Sequence, residues 1–504
     1  MITRRNLAIN SFIALTGGWL AGNANAAGAM PSKWDETVDV IVVGSGFAGL
    51  AAAIEAGQAG AKTVVLEKMP AYGGNSIING GIYPLPGSEL QKKEGIKDSE
   101  ELLIKDMLTA GDNLNHIEKV TATTSQAQST FDWCKSLGVE WRMDKIGVEG
   151  GHSVPREMTT KSGFGSGIVI PEFNKCKELG VPVRTRTFVE EIIREPGGRV
   201  LGVKVREGYK FPQASSGKVK FIRADKGVVL CHGGFSADVQ YRTMEDPRLS
   251  AKIGTTNHRG ATSELWREAS RIGCHLIQVD RIQCLPYSNP KEKGLGIAFI
   301  FHAGCAAPFG IWVSSLTGKR FVNEEANRKV RADAIFAELG KGGHCYSVCN
   351  ESNTVAQEIK RPGMLKKCLE RGVVEKYETL EALSEAKGIP LEGLKQEIQA
   401  RNESLITQVD REFGRPVLKG SKPMDNGPWY CSELMPKVHH TMGGILTDAQ
   451  ARCLDVMNDQ PIPGLYAAGE STGGVHGAVR LGSCAVLDCL VNGRIAGRSA
   501  SAAV

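Results

Sequence analysis

The sequence lacks the signatures of several protein classes. After the N-terminal region, no run approaches the roughly 20 consecutive apolar residues of a membrane span. The net charge is +6, but lysines and arginines form no runs and are not interleaved with aromatics, which make up only 6% of the chain. No Cys-x-x-Cys-His stretch occurs, so the chain attaches no c-type haem. These absences argue against a membrane-spanning, nucleic-acid-binding or haem-attaching protein.

The thirteen cysteines form no disulfide framework, because their number is odd and their spacing is irregular. At least one thiol must be unpaired, and most are expected to be free and buried. The stretch HCYSVC, His344 to Cys349, could be taken for a metal site. A second Cys/His pair at zinc spacing is absent from the sequence, so no metal is expected.

The first residues have the character of an export signal. MITRRNLAI contains Arg4 and Arg5, followed by the apolar stretch LAINSFIALTGGWLAG and small residues before Ala27. This order predicts a twin-arginine signal cleaved after Ala26, and therefore a periplasmic protein that is exported folded with its cofactor. An ordinary secretory signal or a chance arginine pair are the alternatives.

Length and composition predict a globular protein of two domains. The 504 residues exceed what one hydrophobic core usually serves. Hydrophobic residues at 41% and charged residues at 23% are ordinary values. Sixty glycines are many, and they cluster, which indicates places where the backbone must come close to another group.

A dinucleotide-binding motif follows the signal. VDVIVVGSGFAGLAAAIEAGQAGAKTVVLEK contains an apolar strand, a glycine-rich turn, an alanine-rich helix and a second strand that ends at Glu67. Gly44 allows the tight turn, Gly46 admits a pyrophosphate, and Gly49 lets helix and strand pack closely. The helix N-terminus offers positive potential to phosphate, and Glu67 can accept hydrogen bonds from ribose hydroxyls.

Two further stretches favour FAD over NAD. GGNSIINGG, Gly73 to Gly81, offers backbone amides to a ligand that continues past the pyrophosphate. PIPGLYAAGESTGGVHG contains a short strand, Gly464 to Ala468, followed by Gly469 and Glu470. A chain that returns at its end to the N-terminal nucleotide site suits the longer cofactor. KGVVLCHGGF, Lys226 to Phe235, predicts another buried strand with a glycine exit.

Together with GKRFVNE, HHTMGGI and GVHGAVRLG, these stretches resemble the flavoprotein subunit of fumarate reductases and the soluble flavocytochrome c enzymes. L-aspartate oxidases and ketosteroid dehydrogenases are similar at greater distance. The resemblance spans about Val38 to Gly497 and implies an α/β fold, in which a Rossmann-like FAD-binding domain is interrupted by an α+β capping domain. The expected boundaries are 1–26 for the signal, 27–283 and 435–504 for the FAD domain, and 284–434 for the cap.

The resemblance also implies non-covalent FAD, since the chain has no convincing flavinylation motif. The cofactor contacts expected by position are Gly44, Gly46, Gly49, Glu67, Lys68, Gly74, Asn75, Ser76, Gly80, Gly81, His440, Gly469, Glu470, Ser483, Ala485 and Val486.

The same resemblance assigns three catalytic residues. The first histidine of HHTMGG and the arginine of RLG hold a substrate carboxylate in this family, which selects His439 and Arg480. A guanidinium grips a carboxylate with two donors, and an imidazole adds a third. The arginine that ends GKRFVNEEANR protonates the substrate, which selects Arg328. Because arginine is held protonated, this role needs a relay that reloads it at once. A core role for His439 and a surface salt bridge for Arg328 are the structural alternatives.

One half of the expected substrate pocket departs from the family pattern. IQCLPYS places Leu285 where dicarboxylate reducers carry a histidine, and an ungapped count puts the polar relay positions at Ala303, Gly304 and Ala307. A second carboxylate buried there would lack donors. The departure predicts a substrate with one carboxylate, such as acrylate, methacrylate or a cinnamate-like acid. Leu285 could instead merely pack the cap interior.

A polar heterocycle such as urocanate is the other possibility, with Tyr287, His302 and Asp280 as its contacts. The family comparison implies a six-residue insertion between Leu285 and Gly318, which blurs individual matches in this segment.

The favoured hypothesis is a periplasmic FAD-dependent enoate reductase of anaerobic respiration that receives electrons from a separate c-type cytochrome. A fumarate or urocanate reductase, a dehydrogenase or oxidase of a small acid or ketosteroid, and a non-catalytic flavin electron carrier are the alternatives. The carboxylate-binding residues argue against the carrier. The direction of the reaction depends on the flavin potential, which no residue fixes.

Overall fold

The structure is a computed structural model that describes residues 30–503, except for the side chains of residues 356–360. The predicted export signal, residues 1–26, lies outside the described residues. Within the described chain, no helix is both long enough and apolar enough to cross a membrane. All thirteen cysteines fall in this part as free thiols, and twelve of them are buried.

The described chain contains eighteen β-strands and seventeen α-helical segments. The strands are β1 (Glu36–Val43), β2 (Thr63–Leu66), β3 (Ile82–Pro84), β4 (Glu157–Thr159), β5 (Val183–Arg184), β6 (Thr187–Arg194), β7 (Val200–Glu207), β8 (Lys218–Leu230), β9 (Leu276–Ile277), β10 (Ile282–Leu285), β11 (Ile311–Ser314), β12 (Cys345–Asn350), β13 (Glu375–Tyr377), β14 (Trp429–Leu434), β15 (Lys437–Thr441), β16 (Gly444–Ile445), β17 (Arg452–Leu454) and β18 (Pro461–Ala467).

The helices are α1 (Phe47–Gln58), α2 (Gly74–Ile78), α3 (Glu89–Lys93), α4 (Glu100–Ala110), α5 (Ile117–Thr124), α6 (Ala127–Ser136), α7 (Ser166–Glu178), α8 (Val239–Glu245), α9 (Glu264–Arg271), α10 (Phe299–Phe301), α11 (Ala307–Phe309), α12 (Arg328–Gly340), α13 (Glu351–Lys360), α14 (Met364–Glu370), α15 (Leu380–Lys387), α16 (Leu391–Thr407) and α17 (Cys484–Ala502). A π-helical turn covers His302–Ala306, and a 3₁₀ turn covers Gly469–Ser471.

The chain divides into two compact units. The core unit comprises the described residues through Phe235, Gly260–Val279 and the chain from Met442, and the inserted unit comprises Ser236–Arg259 and Asp280–Thr441. The inserted unit includes more residues than the cap expected over 284–434. One reason is that β15 pairs with β10 in an antiparallel ribbon, so both strands belong to the same unit.

An eight-stranded sheet organises the core unit. Its path runs β17-β18-β8-β1-β2-β5, and the antiparallel pair β6-β7 joins it through β8. The pairs of β1 with β2, β1 with β8 and β8 with β18 are all parallel. The apolar strand predicted at Val38–Val43 is the buried part of β1, as a strand covered on both faces requires. This arrangement is the predicted Rossmann-like fold.

Helices α1 and α17 pack together at very short range. A Cβ added at Gly493 would lie 2.4 Å from the backbone oxygen of Ala48, and one at Gly497 would lie 2.2 Å from that of Ala52. The alanine-rich α1 and the glycines of α17 therefore let two helix backbones touch. The C-terminal helix is consequently anchored on the N-terminal motif.

The inserted unit is built on an antiparallel sheet of order β11-β12-β14-β13. Its buried apolar residues form clusters on the helices and strands of this unit, including Trp312, Cys345 and Tyr430 in one and Leu394 and Trp429 in another. Apolar residues at i, i+3 and i+4 from Gly363 to Gly388 are typical of one continuous helix. The structure differs in the middle of this segment, where β13 separates α14 from α15.

Candidate flavin and substrate site

The turn between β1 and α1 can only be made by glycine. Gly44 has φ +102°, and a Cβ added there would lie 2.2 Å from the carbonyl oxygen of Cys231. A Cβ at Gly49 would lie 2.0 Å from the oxygen of Gly44. The first turn of α1 therefore lies directly behind a close backbone turn, which is the arrangement that accepts a pyrophosphate.

Glu67 braces this turn from the end of β2. The carboxylate is buried, its Oε2 accepts a 2.6 Å hydrogen bond from Ser45 Oγ, and its Oε1 accepts one from the Met69 amide at 2.8 Å. Ser45 Oγ in turn accepts a bond from the Gly73 amide at 3.0 Å. Glu67 thus links the glycine turn to the second predicted glycine segment. Its Oε2 also accepts the Ser45 amide at 3.2 Å, so Oε1 is the oxygen that can accept a further hydrogen bond.

The second glycine segment begins in the left-handed region, with φ +100° at Gly73 and +46° at Gly74. Ser76, in α2, accepts the Phe47 amide at 3.0 Å. Lys68 lies within 3.2 Å of Glu264 Oε2 and also donates to Thr262. Glu67 and Ser76, two of the expected cofactor residues, therefore lie at the start of α1.

The C-terminal segments return to the same sheet, as predicted. Ser471 Oγ, in the turn that follows β18, donates to the Leu230 carbonyl at the end of β8 at 2.9 Å. Gly469 has φ +70°, and a Cβ there would lie 2.9 Å from Ala48 Cβ. Ser483 immediately precedes α17, whose first turn contains Ala485 and Val486.

Buried polar side chains hold the loop that carries Arg480. Lys119 Nζ donates to the Gly473 carbonyl at 2.6 Å and to Thr447 Oγ1 at 2.9 Å. Burial lowers the pKa of Lys119 to about 8. Asn115 Nδ2 donates to the Val475 carbonyl at 2.8 Å. These bonds fix the approach to Arg480, which is itself buried.

The other end of this loop rests on a buried ion-pair network. Arg156 donates to Asp98 at 2.8 Å, to Asp106 at 2.5 Å and to His152 Nδ1 at 3.0 Å. Because arginine only donates, His152 Nδ1 must accept, and its Nε2 therefore donates to the Gly482 carbonyl at 2.9 Å. Burial lowers the pKa of His152, which agrees with this neutral tautomer.

A strand irregularity in the inserted unit sets the direction of His439. In the β10-β15 ribbon, Gln283 pairs with His440, whereas the next pair is Cys284 with Val438. His439 is therefore the extra residue of a β-bulge, a feature that redirects a side chain relative to regular pairing. His439 is half-buried, whereas His440 is buried.

A short segment of the inserted unit holds His439 in place. Thr256 Oγ1 lies 2.6 Å from His439 Nδ1, and Asn257 Nδ2 donates to the His439 carbonyl at 2.8 Å. The Thr256 amide donates to the Val438 carbonyl at 2.9 Å. The ring is thus oriented through Nδ1, and neither Thr256 nor Asn257 was identified from the sequence.

Arg328 approaches the same ribbon. It is the first residue of α12, and Asn327 caps this helix by accepting the Val330 amide at 3.0 Å. Arg328 Nη1 lies 3.5 Å from Oε1 of Gln283, whose Cα pairs with that of His440. The inserted unit therefore brings the predicted proton donor and the histidine pair to one two-stranded ribbon.

Leu285 is buried at the end of β10. Successive side chains of a strand alternate, so Leu285 shares a face with Gln283, the residue beside Arg328. Tyr287 lies edge-on to Trp312, with ring centroids 6.1 Å apart, and beneath the guanidinium of Arg331. The π-helical turn and α11 contain the positions expected for the polar relay, and Ala307 there is part of a buried apolar cluster.

His302, one of the predicted substrate contacts, has both ring nitrogens engaged inside the inserted unit. The ring is fully buried in the inserted unit, with Nδ1 2.7 Å from Ser347 Oγ and Nε2 3.1 Å from Ser432 Oγ. Both ring nitrogens are used, and burial lowers the pKa of His302 to about 3. His302 is a core histidine. Asp280, the other polar candidate, is exposed and lies 3.2 Å from Arg281.

The chain is similar to known flavoproteins over most of its length. Residues 39–486 match a protein family described as an FAD binding domain. The acrylate reductase flavoprotein subunit of Shewanella woodyi is 38% identical over 96% of this chain and 95% of its own length. The cytochrome-type fumarate reductase of Shewanella frigidimarina is 33% identical over 94% of this chain and 78% of its own length.

A solved structure agrees with this relationship. The open conformation of a flavocytochrome c3 fumarate reductase superimposes with a TM-score of 0.75 and 30% identity, covering 93% of this chain and 79% of that one. The glycine turn, the Glu67 brace and the returning C-terminal helix fit FAD. The chain therefore belongs to the FAD-binding-domain family and is a fumarate-reductase-like, FAD-dependent oxidoreductase.

Proposed function

We propose that the protein reduces the C=C bond of a small unsaturated monocarboxylate, with acrylate or a substituted acrylate as substrate. The observation that carries this proposal is the β10-β15 ribbon. It groups Arg328, Gln283 and the bulged His439, and it presents Leu285 on the same strand face as Gln283. The glycine turn and Glu67 would hold FAD, which when bound would supply the hydride for one carbon of the double bond.

The residues of the chain perform the remaining tasks. Arg480 and His439 bind the one carboxylate and draw electron density toward it, which polarises the adjacent double bond. Arg328 provides the proton for the other carbon. Its position at the first turn of α12 adds the positive end of a helix, which favours negative charge on the substrate. Thr256 keeps the His439 ring oriented.

The preference for one carboxylate rests on Leu285. A buried carboxylate facing an apolar side chain loses its hydration without gaining donors, and this costs several kcal/mol, on the order of 2–7. Acrylate has no second carboxylate and meets no such cost. The similarity to a protein named as an acrylate reductase flavoprotein subunit supports this substrate class.

A second candidate function, fumarate reduction, is favoured by the similarity to a cytochrome-type fumarate reductase. It would require hydrogen-bond donors for the second carboxylate. The apolar Leu285 cannot supply one, and both ring nitrogens of the core histidine His302 are already used. Fumarate is therefore the necessary competitor in any substrate test.

The electron donor is proposed to be a separate c-type cytochrome. The sequence contains no Cys-x-x-Cys-His stretch of its own, and the 38% identical relative is named as a subunit, which supports a partner protein. A reduced c-type cytochrome should be oxidised by the enzyme only when an enoate is present. Oxidation at the same rate without enoate would contradict this proposal.

Export by the twin-arginine pathway is proposed from Arg4 and Arg5 and the stretch that follows them. Replacing both arginines by lysine should retain FAD-loaded protein in the cytoplasm. Undiminished recovery of the variant from the periplasm would contradict the twin-arginine route.

The test of the reaction follows oxidation of reduced methyl viologen on addition of acrylate, with the product identified by NMR. We expect propionate in a 1:2 ratio to oxidised viologen. Absence of turnover with acrylate, methacrylate, cinnamate, urocanate and fumarate would contradict the reductase. Dye reduction by a saturated acid or a ketosteroid would instead indicate a dehydrogenase.

A further inference from the structure

The chain after β8 lies against the glycine turn of the core unit. Strand β8 is adjacent to β1 in the sheet, and His232 is the second residue after its end. A Cβ at Gly44 would lie 2.2 Å from the Cys231 oxygen and 3.2 Å from the His232 Cα. His232 is therefore located where the carboxyl ends of β1 and β8 meet, the edge at which this fold binds nucleotides.

The His232 ring is held by packing. It stands edge-on to Trp266, with ring centroids 6.3 Å apart and an interplanar angle of 87°. Trp266 is fully buried, and its Nε1 donates to the Gly233 carbonyl at 3.0 Å. This bond ties the indole to the residue that follows His232. The orientation of the imidazole is consequently restricted.

Both ring nitrogens of His232 are buried, and neither has a hydrogen-bond partner among the described side chains and backbone. Burial, aided by the charge of Lys68, lowers the pKa of His232 to about 3, so the ring is neutral. A neutral imidazole has one donor and one acceptor. Leaving both unused costs stability, because buried polar groups in native proteins are nearly always paired.

A second histidine in the same chain shows how an ordinary core histidine differs. His302 is fully buried, whereas His232 is half-buried with only its ring nitrogens fully enclosed, and the two nitrogens of His302 bond to Ser347 and Ser432. A structural histidine of this protein can therefore have both ring nitrogens hydrogen-bonded to neighbouring side chains. The ring nitrogens of His232 have no such bonds among the described residues, and His232 lies at the sheet edge where this fold binds nucleotides.

We propose that His232 binds the adenosine-diphosphate half of FAD, with its ring N–H donated to a cofactor oxygen. Lys68 and Glu67 lie at the same edge, next to the turn expected to receive the pyrophosphate and ribose. The inference depends on FAD binding but not on which acid the enzyme reduces. It assigns His232 as a cofactor-binding residue in addition to those implied by the glycine motifs.

The test uses the holoenzyme and two replacements. His232→Phe keeps a flat ring against Trp266 and removes both polar atoms, whereas His232→Asn keeps a donor and an acceptor. FAD release is timed by chasing with an excess of a spectroscopically distinct FAD analogue. We expect release about tenfold faster for His232→Phe, equivalent to about 1.4 kcal/mol, and within threefold of wild type for His232→Asn.

Phosphorus NMR identifies the part of the cofactor involved. Both FAD phosphorus resonances should move in His232→Phe and return toward the wild-type positions in His232→Asn, while the visible flavin spectrum stays unchanged. His275→Phe is the matched control, because His275 is a partly exposed histidine of the core unit beside Asp459, and it should alter neither readout.

Unchanged release and unchanged phosphorus resonances in His232→Phe would overturn the proposal and leave His232 as a packing residue or one satisfied by buried water. A changed visible spectrum with unchanged phosphorus resonances would also overturn it, because the contact would then be with the flavin ring. If His232→Phe does not fold, His232→Asn and His232→Gln decide. Release more than tenfold faster in both, despite their polar groups, would contradict a hydrogen bond that an amide can replace.

Discussion

The glycine turn of the core unit and the β10-β15 ribbon of the inserted unit are constructed in different ways. The turn is made by the backbone, and Gly44 and Gly49 are there because a Cβ would overlap a carbonyl group at 2.2 or 2.0 Å. The ribbon is made by side chains, because its chemistry depends on Gln283, Arg328 and the bulged His439. A backbone site tolerates few residues, whereas a side-chain site can change its ligand by changing one residue.

This difference places the binding of the common cofactor in one part of the chain and the choice of substrate in another. A dinucleotide presents the same pyrophosphate to every member of the family, so a fixed turn serves all of them. Substrates differ in the group that lies opposite the shared carboxylate. The position of Leu285, which the family resemblance matches to a histidine of dicarboxylate reducers, is therefore the kind of site at which substrate choice can vary.

Breaking the backbone site should remove the cofactor itself. Gly44→Ala should yield protein with less than about a tenth of the FAD content, because the new methyl overlaps the Cys231 carbonyl in addition to the strain of φ +102°. FAD released on denaturation measures the content. Gly60→Ala is the control, since Gly60 also has positive φ, at +80°, but meets no atom within 4 Å. Equal FAD loss in both would mean that strain alone, rather than close approach, explains the glycine.

Arg328→Ala should lower kcat by about a thousandfold, the range typical of losing a general acid, without changing FAD content. Lys329→Ala on the same helix is the control, because Lys329 is exposed and pairs with Asp333. Viologen oxidation with acrylate measures both. If Arg328→Ala keeps most of its rate, another residue is the acid, and Tyr287 becomes the next candidate.

Leu285→His should shift specificity within the side-chain site. The added donor should raise kcat/KM for fumarate relative to acrylate by about tenfold or more, since pairing a buried carboxylate recovers 1–3 kcal/mol. Leu285→Met, which conserves volume and polarity, should keep the wild-type ratio. A ratio that is equal in both variants would mean that Leu285 packs the interior and does not face the substrate.

Thr256→Val should have the smallest effect. Losing the 2.6 Å contact to His439 Nδ1 should raise KM for acrylate about fivefold, with a smaller change in kcat, because a neutral hydrogen bond contributes about 1 kcal/mol. Thr256→Ser should restore the wild-type KM. A loss of stability without any change in KM would make Thr256 a structural residue only.

The sequence predicted the backbone site well, because its constraints are local. The strand expected at Val38–Val43 lies within β1, and the C-terminal return to the nucleotide motif is found at Gly469 and Ser471. Glycine spacing, apolar runs and helix starts are all read within a few residues. The sites that depend on such spacing can therefore be predicted from one sequence.

The side chains that hold the loop around Arg480 could not be predicted from local sequence patterns. Lys119, Asn115 and His152 hold backbone carbonyls that lie 330 to 360 residues away along the chain. A side-chain bond to a distant carbonyl leaves no periodic signal. The same reason applies to His302, since the sequence indicates that a histidine is present but not that Ser347 and Ser432 occupy both of its nitrogens.

The central claim is that the substrate carries one carboxylate, and the ratio of kcat/KM for acrylate to that for fumarate tests it most directly. With reduced methyl viologen as donor, the ratio should be at least about a hundred, because an unpaired buried carboxylate accounts for roughly 3 kcal/mol. A ratio of one or less would contradict the account, since it would show that the pocket beside Leu285 supplies donors for a second carboxylate.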